Sequence, residues 1–349
     1  MAEKVVVGLS GGVDSSVAAY LLKQQGYEVI GVTMEMWRNP DERVAGKAIE
    51  DARAVANHLG IPFYVLDFRK EFRRDVMDYF VSEYMEGRTP NPCIVCNRKI
   101  KWEALYQRSK ELGADYVATG HYARINRLAN GRYAIQNSKT ARKDQTYVLY
   151  ELTQEQLAHT LMPLGDYEKD EIRQIAADAG IPVATKKDSQ DVCFIPDNDY
   201  VRFLTEELQD RLPGEGNFLW KDGTVVGRHK GYTNYTIGQR KGLQIALGKP
   251  VFVLSMDTKK NEVVLGDNAD LFTTHLEADH INYMAEETLD PNKTYLGKIR
   301  YSHSGTPCHV RVTDGVMQVE FEEEVRAITP GQGFVLYDGD YIAAGGRIL

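Results

Sequence analysis

The stretch Ser10-Gly11-Gly12-Val13-Asp14-Ser15-Ser16 has the composition of an anion-binding loop. Adjacent glycines let the backbone turn sharply and point several N–H groups at one place, where serine hydroxyls add further donors. An apolar run at residues 5–7 precedes the stretch, and apolar residues at helical spacing follow it from Val17 to Leu22. The helix directs the positive end of its dipole at the same place. These residues therefore predict a strand, a phosphate-binding loop and a helix in succession.

The loop belongs to a particular kind of nucleotide site. No Gly-Lys-Ser or Gly-Lys-Thr follows the glycines, which excludes a Walker-type loop with its phosphate-binding lysine. With Asp14 inside it, the stretch at 10–16 resembles the loop of the PP-loop ATP pyrophosphatases. The resemblance implies that ATP is held so that its α-phosphate is attacked and pyrophosphate leaves.

Composition is that of a folded, globular protein. The 349 residues are enough for two or three domains, and 43% hydrophobic and 26% charged residues are ordinary values. No apolar run is long enough to span a membrane, and no signal peptide is visible, so we expect a cytoplasmic protein. The net charge of −8 excludes a uniformly basic coat but allows a local cationic face for a polyanion.

Three further strands, separated by helices, follow the loop. Residues 29–34, 63–66 and 116–119 are apolar and rich in β-formers, and helical spacing of apolar residues separates them. This alternation predicts the α/β class with a doubly wound parallel sheet, whose ligand crevice lies outside the carboxyl ends of the strands. The loop, Met34 and the pair Gly120-His121 all fall at that edge.

After about Leu212 the sequence changes to short strands with two-residue turns. Residues 310–321 alternate apolar and polar side chains around Asp314-Gly315, which predicts a half-buried hairpin. Cys308, on one of these strands, is expected to pack as a small core residue. The predicted domains are a PP-loop ATP-binding catalytic domain at 1–208, a small linking domain at 209–276 and a β-barrel at 277–349.

The other cysteines are candidates for chemistry, because a disulfide scaffold is not expected in a reducing compartment. Cys93 and Cys96 form a C-x-x-C pair in a segment whose two prolines predict a stiff, exposed loop. This spacing suits redox thiols, zinc and iron–sulfur ligation equally well. Lys186 and Lys187 are predicted to lower the pKa of Cys193 and raise its thiolate content.

Several segments together make the chain resemble the bacterial tRNA-specific 2-thiouridylases over nearly its full length. These enzymes replace O2 of the wobble uridine with sulfur. The segments are SGGVDSS (10–16), NPCIVCN with IKW (91–102), TGHYAR (119–124), KDQTY (143–147), KKDSQDVCF (186–194), YTIGQRKGL (235–243), Arg300-Tyr301 and Pro330-Gly331-Gln332.

The resemblance implies that ATP, with Mg²⁺, adenylates the uridine oxygen and that sulfur then displaces AMP. In the family scheme the cysteine matching Cys193 carries a persulfide, and the one matching Cys96 attacks or resolves it. Asp14 is expected at the catalytic centre as a partner of the phosphates and Mg²⁺. The positions carried over as ATP contacts are Gly8, Leu9, Ser10, Gly11, Gly12, Val13, Asp14, Ser15, Met34 and Gly120. Those carried over as tRNA contacts are His121, Lys143, Asp144, Gln145, Arg300, Tyr301 and Gln332, and the linking domain and the barrel are expected to contact tRNA.

Cys93 departs from the family pattern, because many relatives have an aspartate there that could act as a base. A third cysteine is compatible with a [4Fe–4S] cluster on Cys93, Cys96 and Cys193, with one iron open to sulfide. We favour this cluster over a persulfide relay, since the relay needs only Cys96 and Cys193. The alternative is that Cys93 resolves a disulfide within C-x-x-C.

Taken by themselves, some of these residues fit simpler interpretations. His121 fits a capped histidine at a strand end, and residues 143–145 fit a solvated turn. Arg240 and Lys241 lie between two glycines and fit contact with a phosphate backbone, since glycine permits close approach and bound cations release counterions.

Two other function classes share part of the pattern. An ATP-pyrophosphatase amide ligase or synthetase acting on a small molecule has the loop but needs neither paired cysteines nor a barrel. An RNA-binding β-protein with a degenerate nucleotide domain is disfavoured by the intact loop. For the thiouridylase class we expect a monomer that associates with no membrane, with tRNA and a sulfur donor, such as a cysteine desulfurase or sulfur-relay protein, as partners.

Overall fold

A computed structural model describes residues 2–37, 42–186 and 192–349 of the chain. Its N-terminal part alternates strands with helices. In chain order these are β1 (Lys4–Gly8), α1 (Val13–Gln24), β2 (Glu28–Glu35), α2 (Glu42–Leu59), β3 (Phe63–Asp67), α3 (Arg69–Phe72), α4 (Asp78–Met85), α5 (Pro92–Val95), α6 (Leu105–Glu111), β4 (Tyr116–Ala118), β5 (Arg124–Arg127), β6 (Tyr133–Gln136), α7 (Gln154–Ala158), β7 (Thr160–Leu161), α8 (Lys169–Asp178) and α9 (Tyr200–Leu208). The π-helical segment Arg73–Met77 joins α3 to α4, and Cys96–Ala104 joins α5 to α6.

Five parallel strands form the first sheet, in the order β3-β2-β1-β4-β7. The central strand β1 is apolar along its length because both of its faces are covered. Val5 and Val7 pack with α1, α2 and α8, whereas Val6 packs with α4, α6 and α9 on the opposite face. The predicted doubly wound α/β fold is confirmed. Strand order reverses between β1 and β4, and a crevice for ligands opens at the carboxyl ends of these two strands.

The remaining chain is built from antiparallel hairpins, with one parallel pair between β8 and β11. A four-stranded sheet in the order β10-β11-β8-β9 comes first, and six strands then close into a barrel because β12 pairs with both β15 and β17. The strands are β8 (Gly216–Trp220), β9 (Val225–His229), β10 (Phe252–Asp257), β11 (Glu262–Gly266), β12 (Phe272–Tyr283), β13 (Tyr295–Lys298), β14 (Thr306–Thr313), β15 (Val316–Arg326), β16 (Gly333–Asp338) and β17 (Tyr341–Ile348).

The predicted hairpin at Asp314-Gly315 is confirmed as the connection between β14 and β15. Both turn residues have positive φ, 51° and 79°, as a tight two-residue turn requires. Cys308 is fully buried inside the barrel, as expected.

The small hairpin of β5 and β6 belongs to the barrel sheet and not to the parallel sheet of the N-terminal part. It pairs with β17 through Gln136 and Tyr341, and it packs there under Met284 and Ile342. This contact holds the N-terminal part of the chain against the barrel. In the part of the chain that the structure describes, no helix is long and apolar enough to cross a membrane.

Candidate active site

The predicted phosphate loop follows β1 and turns directly into α1. Gly11 has φ +69°, and a Cβ at this position would lie 2.5 Å from the carbonyl oxygen of Ala48, so only glycine fits here. Ser10 N donates to Ser15 Oγ at 3.2 Å, which closes the loop. Gly12 precedes α1 without a side-chain cap, so the N–H groups of the first turn are available for an anion.

Gly120, after β4, packs directly against this loop across the crevice. A Cβ on Gly120 would lie 2.6 Å from Ser15 N and 2.7 Å from the carbonyl carbon of Asp14. The backbone that follows β4 therefore packs directly against the backbone of the loop that follows β1. This contact leaves no room for a side chain at position 120.

Replacing Gly120 with alanine is expected to displace the loop, because rigid backbone atoms occupy the space of the new methyl group. We expect a loss of about 1–3 kcal/mol in the free energy of unfolding, together with weaker ATP binding. Thermal unfolding and equilibrium ATP binding measure the two effects. Gly214→Ala is the matched control, since a Cβ on Gly214 meets nothing within 4 Å. Unchanged ATP affinity in Gly120→Ala would contradict the role given to this contact.

Three other residues predicted as ATP contacts lie around the base of the loop. Met34 is adjacent to Gly8, where a Cβ would lie 3.4 Å from Met34 Cε. Leu9 and Val13 are 2% and 4% exposed, so their side chains support the loop from the core and only their backbone can face a ligand.

Asp14 is held by two side chains that the sequence did not indicate. Lys169 Nζ lies 2.6 Å and 2.8 Å from the two carboxylate oxygens of Asp14, and Tyr122 Oη donates to Oδ1 at 2.8 Å. Lys169 is the first residue of α8 and is only 13% exposed. An ammonium group thus lies beside the phosphate loop although no Walker lysine is present.

The expectation for Lys186 is wrong. Its Nζ donates to the carbonyl oxygen of Gly11 at 2.9 Å and to Asp51 Oδ2 at 2.7 Å, so it fastens the phosphate loop to α2. Lys186 does not lower the pKa of Cys193, whose pKa is raised. Lys187 lies outside the described residues.

The C-x-x-C pair lies on a helix and not in the stiff, exposed loop that its prolines predict. Pro92 occupies the first position of α5, where a missing N–H costs nothing, and Asn91 Oδ1 caps the helix by accepting from Cys93 N at 3.1 Å. Cys93 is exposed, whereas Cys96 is buried and begins the π-helical segment. Pro at the first helical position after Asn is a helix-start signal that the sequence contains.

The three thiols of the predicted site face one region of low polarity. Cys96 Sγ lies 3.9 Å from Met36 Sδ and packs in the same core cluster as Phe194, the neighbour of Cys193. Loss of solvent around the sulfur atoms raises the pKa of Cys96 to about 11 and that of Cys193 to about 12, and it also raises the pKa of Cys93, although Cys93 and Cys193 keep an exposed surface. Negative charge on Cys96 and Cys93 adds to the increase at Cys193, because these thiols are close to it.

Lys101 is the cation of this thiol region, and nothing in the sequence distinguishes it from its neighbours Arg98 and Lys99. Its Nζ donates to Asn97 Oδ1 at 2.9 Å and lies 3.5 Å from His121 Nε2. The positive charge of Lys101 opposes burial and lowers the pKa of all three thiols.

Replacing Lys101 with methionine is expected to make the thiols still weaker acids. The pH dependence of alkylation at Cys193 should move to higher pH, because a cation that favours its thiolate is removed. Iodoacetamide labelling followed by mass spectrometry between pH 7 and 11 measures this shift. Lys101→Arg should retain the parent profile, and Lys99→Met is the control, since Lys99 pairs with Glu103 on the surface. Overlapping profiles for Lys101→Met and the parent would show that this cation does not act on the thiols.

His121, predicted as a tRNA contact, is buried at the inner end of this region. Its Nδ1 is 2.7 Å from Thr119 Oγ1, and its ring packs against Trp102 at 5.4 Å between centroids. Burial and the charge of Lys101 lower the pKa of His121 well below its usual value, so the imidazole is neutral at pH 7. These contacts agree with the interpretation of His121 as a capped histidine at the end of a strand.

The segment after β4 joins the nucleotide loop to the thiol region. Gly120 and Tyr122 contact the phosphate loop, while His121 between them points to Lys101. The end of β2 makes the same connection, because Met34 is adjacent to Gly8 and Met36 is adjacent to Cys96. The segments that follow β2 and β4, the two strands on either side of β1, thus place a phosphate site and a thiol site side by side.

Residues 143–145 form a structured turn and not a freely solvated one. Asp144 accepts from Ser138 N at 2.8 Å, and Gln145 Oε1 accepts from Tyr122 N at 2.9 Å. Lys143 is partly buried.

The barrel residues predicted to contact tRNA lie around the cysteine helix. Tyr301 is 47% exposed and donates from Oη to the carbonyl oxygen of Asp144 at 2.9 Å. Burial raises the pKa of Tyr301, and the negative charges of Asp144 and Cys93 raise it further, which places the phenol near Cys93. Gln332 Nε2 donates to the carbonyl oxygen of Thr89 at 2.7 Å, just before the cysteine helix.

The prediction of an iron–sulfur cluster is not supported. Among the described residues, which include all four cysteines, no group of three or more His, Cys, Asp or Glu side chains could hold a metal ion. Cys96 is buried against Met36, whereas the other two thiols are exposed. The described cysteines form no disulfide in this structure.

Comparison with known proteins agrees with this architecture. The fold and the loop define a HUP-type nucleotide-binding domain followed by two β-domains, and three family models match in that order. They are the tRNA methyl transferase HUP domain at residues 3–197, the tRNA methyl transferase PRC-barrel domain at 201–267 and the aminomethyltransferase β-barrel domain at 273–348.

The chain belongs to the tRNA-specific 2-thiouridylase family, as its sequence motifs suggested. It is 54% identical to the tRNA-specific 2-thiouridylase MnmA of Lachnoclostridium phytofermentans, over 99% of both chains. It is 52% identical to that of Clostridioides difficile, over 100% of this chain and 98% of the relative. A solved structure of a 4-thiouridine synthetase with RNA and ATP has 21% identity and a TM-score of 0.37 over 60% of this chain and 51% of that one.

Proposed function

We propose that this protein catalyses the ATP-dependent 2-thiolation of the wobble uridine, U34, of tRNA. One observation carries the proposal. Gly120 contacts the phosphate loop with its backbone and Tyr122 with its hydroxyl, while His121 between them lies beside Lys101 in the thiol region. A site that must activate a base with ATP and then deliver sulfur to the same atom needs these two parts at adjacent positions.

In the first half-reaction, the N–H groups of the loop and the first turn of α1 bind the phosphates of ATP. The uridine O2 attacks the α-phosphate, the bond to the β-phosphate breaks, pyrophosphate leaves, and N3 of the base releases its proton to solvent. Lys169, paired with Asp14, adds positive charge beside the loop and so favours the leaving anion. The carboxylate of Asp14 suits Mg²⁺, which when bound with ATP would neutralise phosphate charge.

In the second half-reaction, a persulfide on Cys193 supplies the sulfur. The Cys96 thiolate attacks the inner sulfur of Cys193, a Cys96–Cys193 disulfide forms, and hydrosulfide leaves with the electron pair of the broken S–S bond. Hydrosulfide attacks C2 of the adenylated uridine and expels AMP, and its proton ends on N3 of the thiolated base. A dithiol reductant then returns the disulfide to two thiols by a two-electron exchange.

Because the pKa values of the thiols are raised, the site must favour the thiolate of Cys96 during this step. With a pKa of about 11, Cys96 is protonated at neutral pH, because a buried thiolate is poorly solvated. Lys101 is the cation that favours the thiolate, and His121, neutral beside it, is a group through which a proton can move. Cys93, exposed at the start of the helix, is available to resolve a disulfide but is not required by the relay.

The barrel and the linking region are assigned to tRNA binding. Tyr301 and Asp144 meet beside Cys93, which supports an entry for the target base between the barrel and the cysteine helix. Arg300, Lys143 and Gln332 are proposed contacts around this entry. We further propose that the protein works in the cytoplasm as a monomer, with a cysteine desulfurase or a sulfur-relay protein as sulfur donor.

Pyrophosphate release measured with and without tRNA tests the proposal, together with mass spectrometry of the tRNA nucleosides. We expect pyrophosphate release that depends on tRNA, and 2-thiouridine when a persulfide donor and a dithiol are present. Pyrophosphate release that proceeds with a small molecule and ignores tRNA would instead indicate the amide-ligase class. Absence of pyrophosphate release in both conditions, with tRNA bound, would indicate an RNA-binding protein.

A further inference from the structure

Glu83, on α4, is a buried carboxylate that the chemistry described above does not use. Its side chain is only 4% exposed, and a buried charge needs close partners of opposite sign. Arg88 is one partner, because its Nε donates to Glu83 Oε2 at 2.8 Å and its Nη2 donates to Oε1. Arg347, on β17 of the barrel, is the other, with Nη1 3.6 Å from Oε1. One carboxylate therefore joins the segment before the cysteine helix, α5, to the barrel.

The barrel fixes the direction of the Arg347 side chain. Asp279 on β12 lies opposite Arg347 in the pairing of β12 with β17. Arg347 Nε and Nη2 donate to Asp279 Oδ1 and Oδ2 at 3.3 and 3.1 Å, which holds the guanidinium group from one side. The same guanidinium group presents Nη1 to Glu83. The carboxylate of α4 is thus tied to two barrel strands.

Backbone contacts continue this connection toward the cysteine helix. Thr89 N donates to the carbonyl oxygen of Pro330 at 2.9 Å, and the carbonyl oxygen of Thr89 accepts from Gln332 Nε2 at 2.7 Å. Gly331, between the two barrel residues, has φ +89°, and a Cβ there would lie 2.9 Å from Arg88 Cβ. Both backbone polar groups of Thr89 are therefore bound to the barrel shortly before α5 begins.

The cysteine helix itself rests on the same barrel strands. Ile94, between Cys93 and Cys96, is buried. A Cβ on Gly333 of β16 would lie 3.0 Å from Ile94 Cδ1, so the helix packs where this strand has no side chain. Gly333 lies opposite Arg347 in the pairing of β16 with β17. The ion pair and the helix contact are therefore neighbours on one pair of strands.

We propose that Glu83, Arg88 and Arg347 are positioning residues for the sulfur step, because they fix the cysteine helix on the barrel. A helix held in this way keeps Cys96 in line for attack on the persulfide of Cys193. The inference rests on the proposed function, which supplies the persulfide and the order of the steps. Small displacements of reacting groups cost large factors in rate, so the ion pair matters although it acts only through the helix.

The phosphate loop is held by other contacts, so the first half-reaction should be spared. Gly120 packs on the loop, Lys169 pairs with Asp14, and Lys186 donates to the carbonyl oxygen of Gly11. Loss of the pair between α4 and the barrel should therefore slow sulfur transfer and leave adenylation near the parent rate. A residue that only stabilised the fold would not separate the two half-reactions.

Arg347→Gln tests this role under single-turnover conditions, with polysulfide-treated, persulfidated enzyme in excess over a tRNA transcript. The rates of pyrophosphate release and of 2-thiouridine formation are measured on the same samples. We expect 2-thiouridine formation to slow roughly tenfold or more, with pyrophosphate release close to the parent rate. Lys293→Gln is the matched control, since it removes a cation whose partners, Glu286 and Asp338, also belong to the barrel. Both rates should stay at parent values in the control.

Three further variants show whether charge and pairing are responsible. Arg347→Lys keeps a cation beside Glu83 and should recover part of the lost rate, although lysine cannot reproduce the fork of the guanidinium group. Glu83→Gln should slow the sulfur step as Arg347→Gln does, and the double variant should lose little more than either single variant. A lysine variant as slow as Arg347→Gln, or losses that multiply in the double variant, would overturn the role of the ion pair.

The outcomes separate this inference from the proposed function. A parent rate of 2-thiouridine formation in Arg347→Gln overturns the positioning role and leaves the proposed function in place. Equal slowing of both half-reactions also overturns it, because the substitution then acts on the fold or on tRNA binding. A parent enzyme that forms no 2-thiouridine overturns both proposals. Thermal unfolding of each variant shows that the fold is retained at the assay temperature, and if Arg347→Gln is unfolded there, Arg347→Lys carries the same comparison.

Discussion

Cys193→Ser should retain pyrophosphate release in the presence of tRNA and lose 2-thiouridine formation to below detection. A serine hydroxyl cannot carry a terminal sulfur, yet it occupies almost the volume of the thiol. Cys193 is exposed and its replacement leaves the core cluster around Phe194 intact, so the fold should be retained. The experiment follows both half-reactions on one sample, with pyrophosphate measured by a coupled assay and the modified nucleoside by mass spectrometry.

Cys308→Ala provides the control for Cys193→Ser. Cys308 is buried inside the barrel, and its replacement removes a thiol without touching the loop or the cysteine helix. Both half-reactions should proceed in this variant, with a modest loss of stability from the small cavity. If Cys193→Ser loses pyrophosphate release as well, with an unchanged fold, then Cys193 acts in adenylation or in structure and the relay is wrong.

Local patterns predicted the architecture well, because each one determines a short segment. The glycine-serine loop lies between β1 and α1, as its flanking apolar residues indicate. The turn Asp314-Gly315 joins β14 and β15, because two successive residues that readily adopt positive φ are typical of a two-residue hairpin turn. Gly120 was expected near the loop because the carboxyl ends of parallel strands share one edge, and the backbone contact with Ser15 agrees.

The partners of the site residues could not be predicted, because they join residues far apart in the chain. Lys169 lies 155 positions from Asp14 in the sequence, and nothing at the start of α8 distinguishes this lysine from the other lysines of the chain. Lys186 was assigned to Cys193 by proximity in sequence, but the fold directs it to Asp51. Closeness in the sequence therefore does not predict which groups a charged side chain in a loop contacts.

The thiol chemistry shows a second limit of sequence patterns. Counting cysteines favoured a cluster, since three thiols suffice for one, but the count contains no information about burial or direction. In the structure Cys96 is buried against Met36 and Cys93 begins a helix at the surface. The sequence did contain Pro92 after Asn91, which is a helix-start signal and predicts the helix on which Cys93 lies.

The second large effect is expected from Asp14→Asn, which should slow tRNA-dependent pyrophosphate release roughly 100-fold, or by about 3 kcal/mol in the barrier. The carboxylate charge is what holds Lys169 beside the loop, through contacts of 2.6 and 2.8 Å, and what suits Mg²⁺. Asparagine keeps the shape and can still accept from Tyr122, so the fold should be retained. Alanine is a poorer choice, because it would leave Lys169, 13% exposed, without this partner.

Asp170→Asn is the control, since it removes an exposed carboxylate one residue from Lys169 and leaves the contact with Asp14 in place. Pyrophosphate release should then remain at the parent rate. The Asp14 variant should also retain its persulfide, which a sulfur-labelling assay on Cys193 detects, because the thiol region lies on the other side of the segment from Gly120 to Tyr122. Parent rates of pyrophosphate release in Asp14→Asn would mean that the loop does not bind the reacting nucleotide, and the assignment of this loop would be wrong.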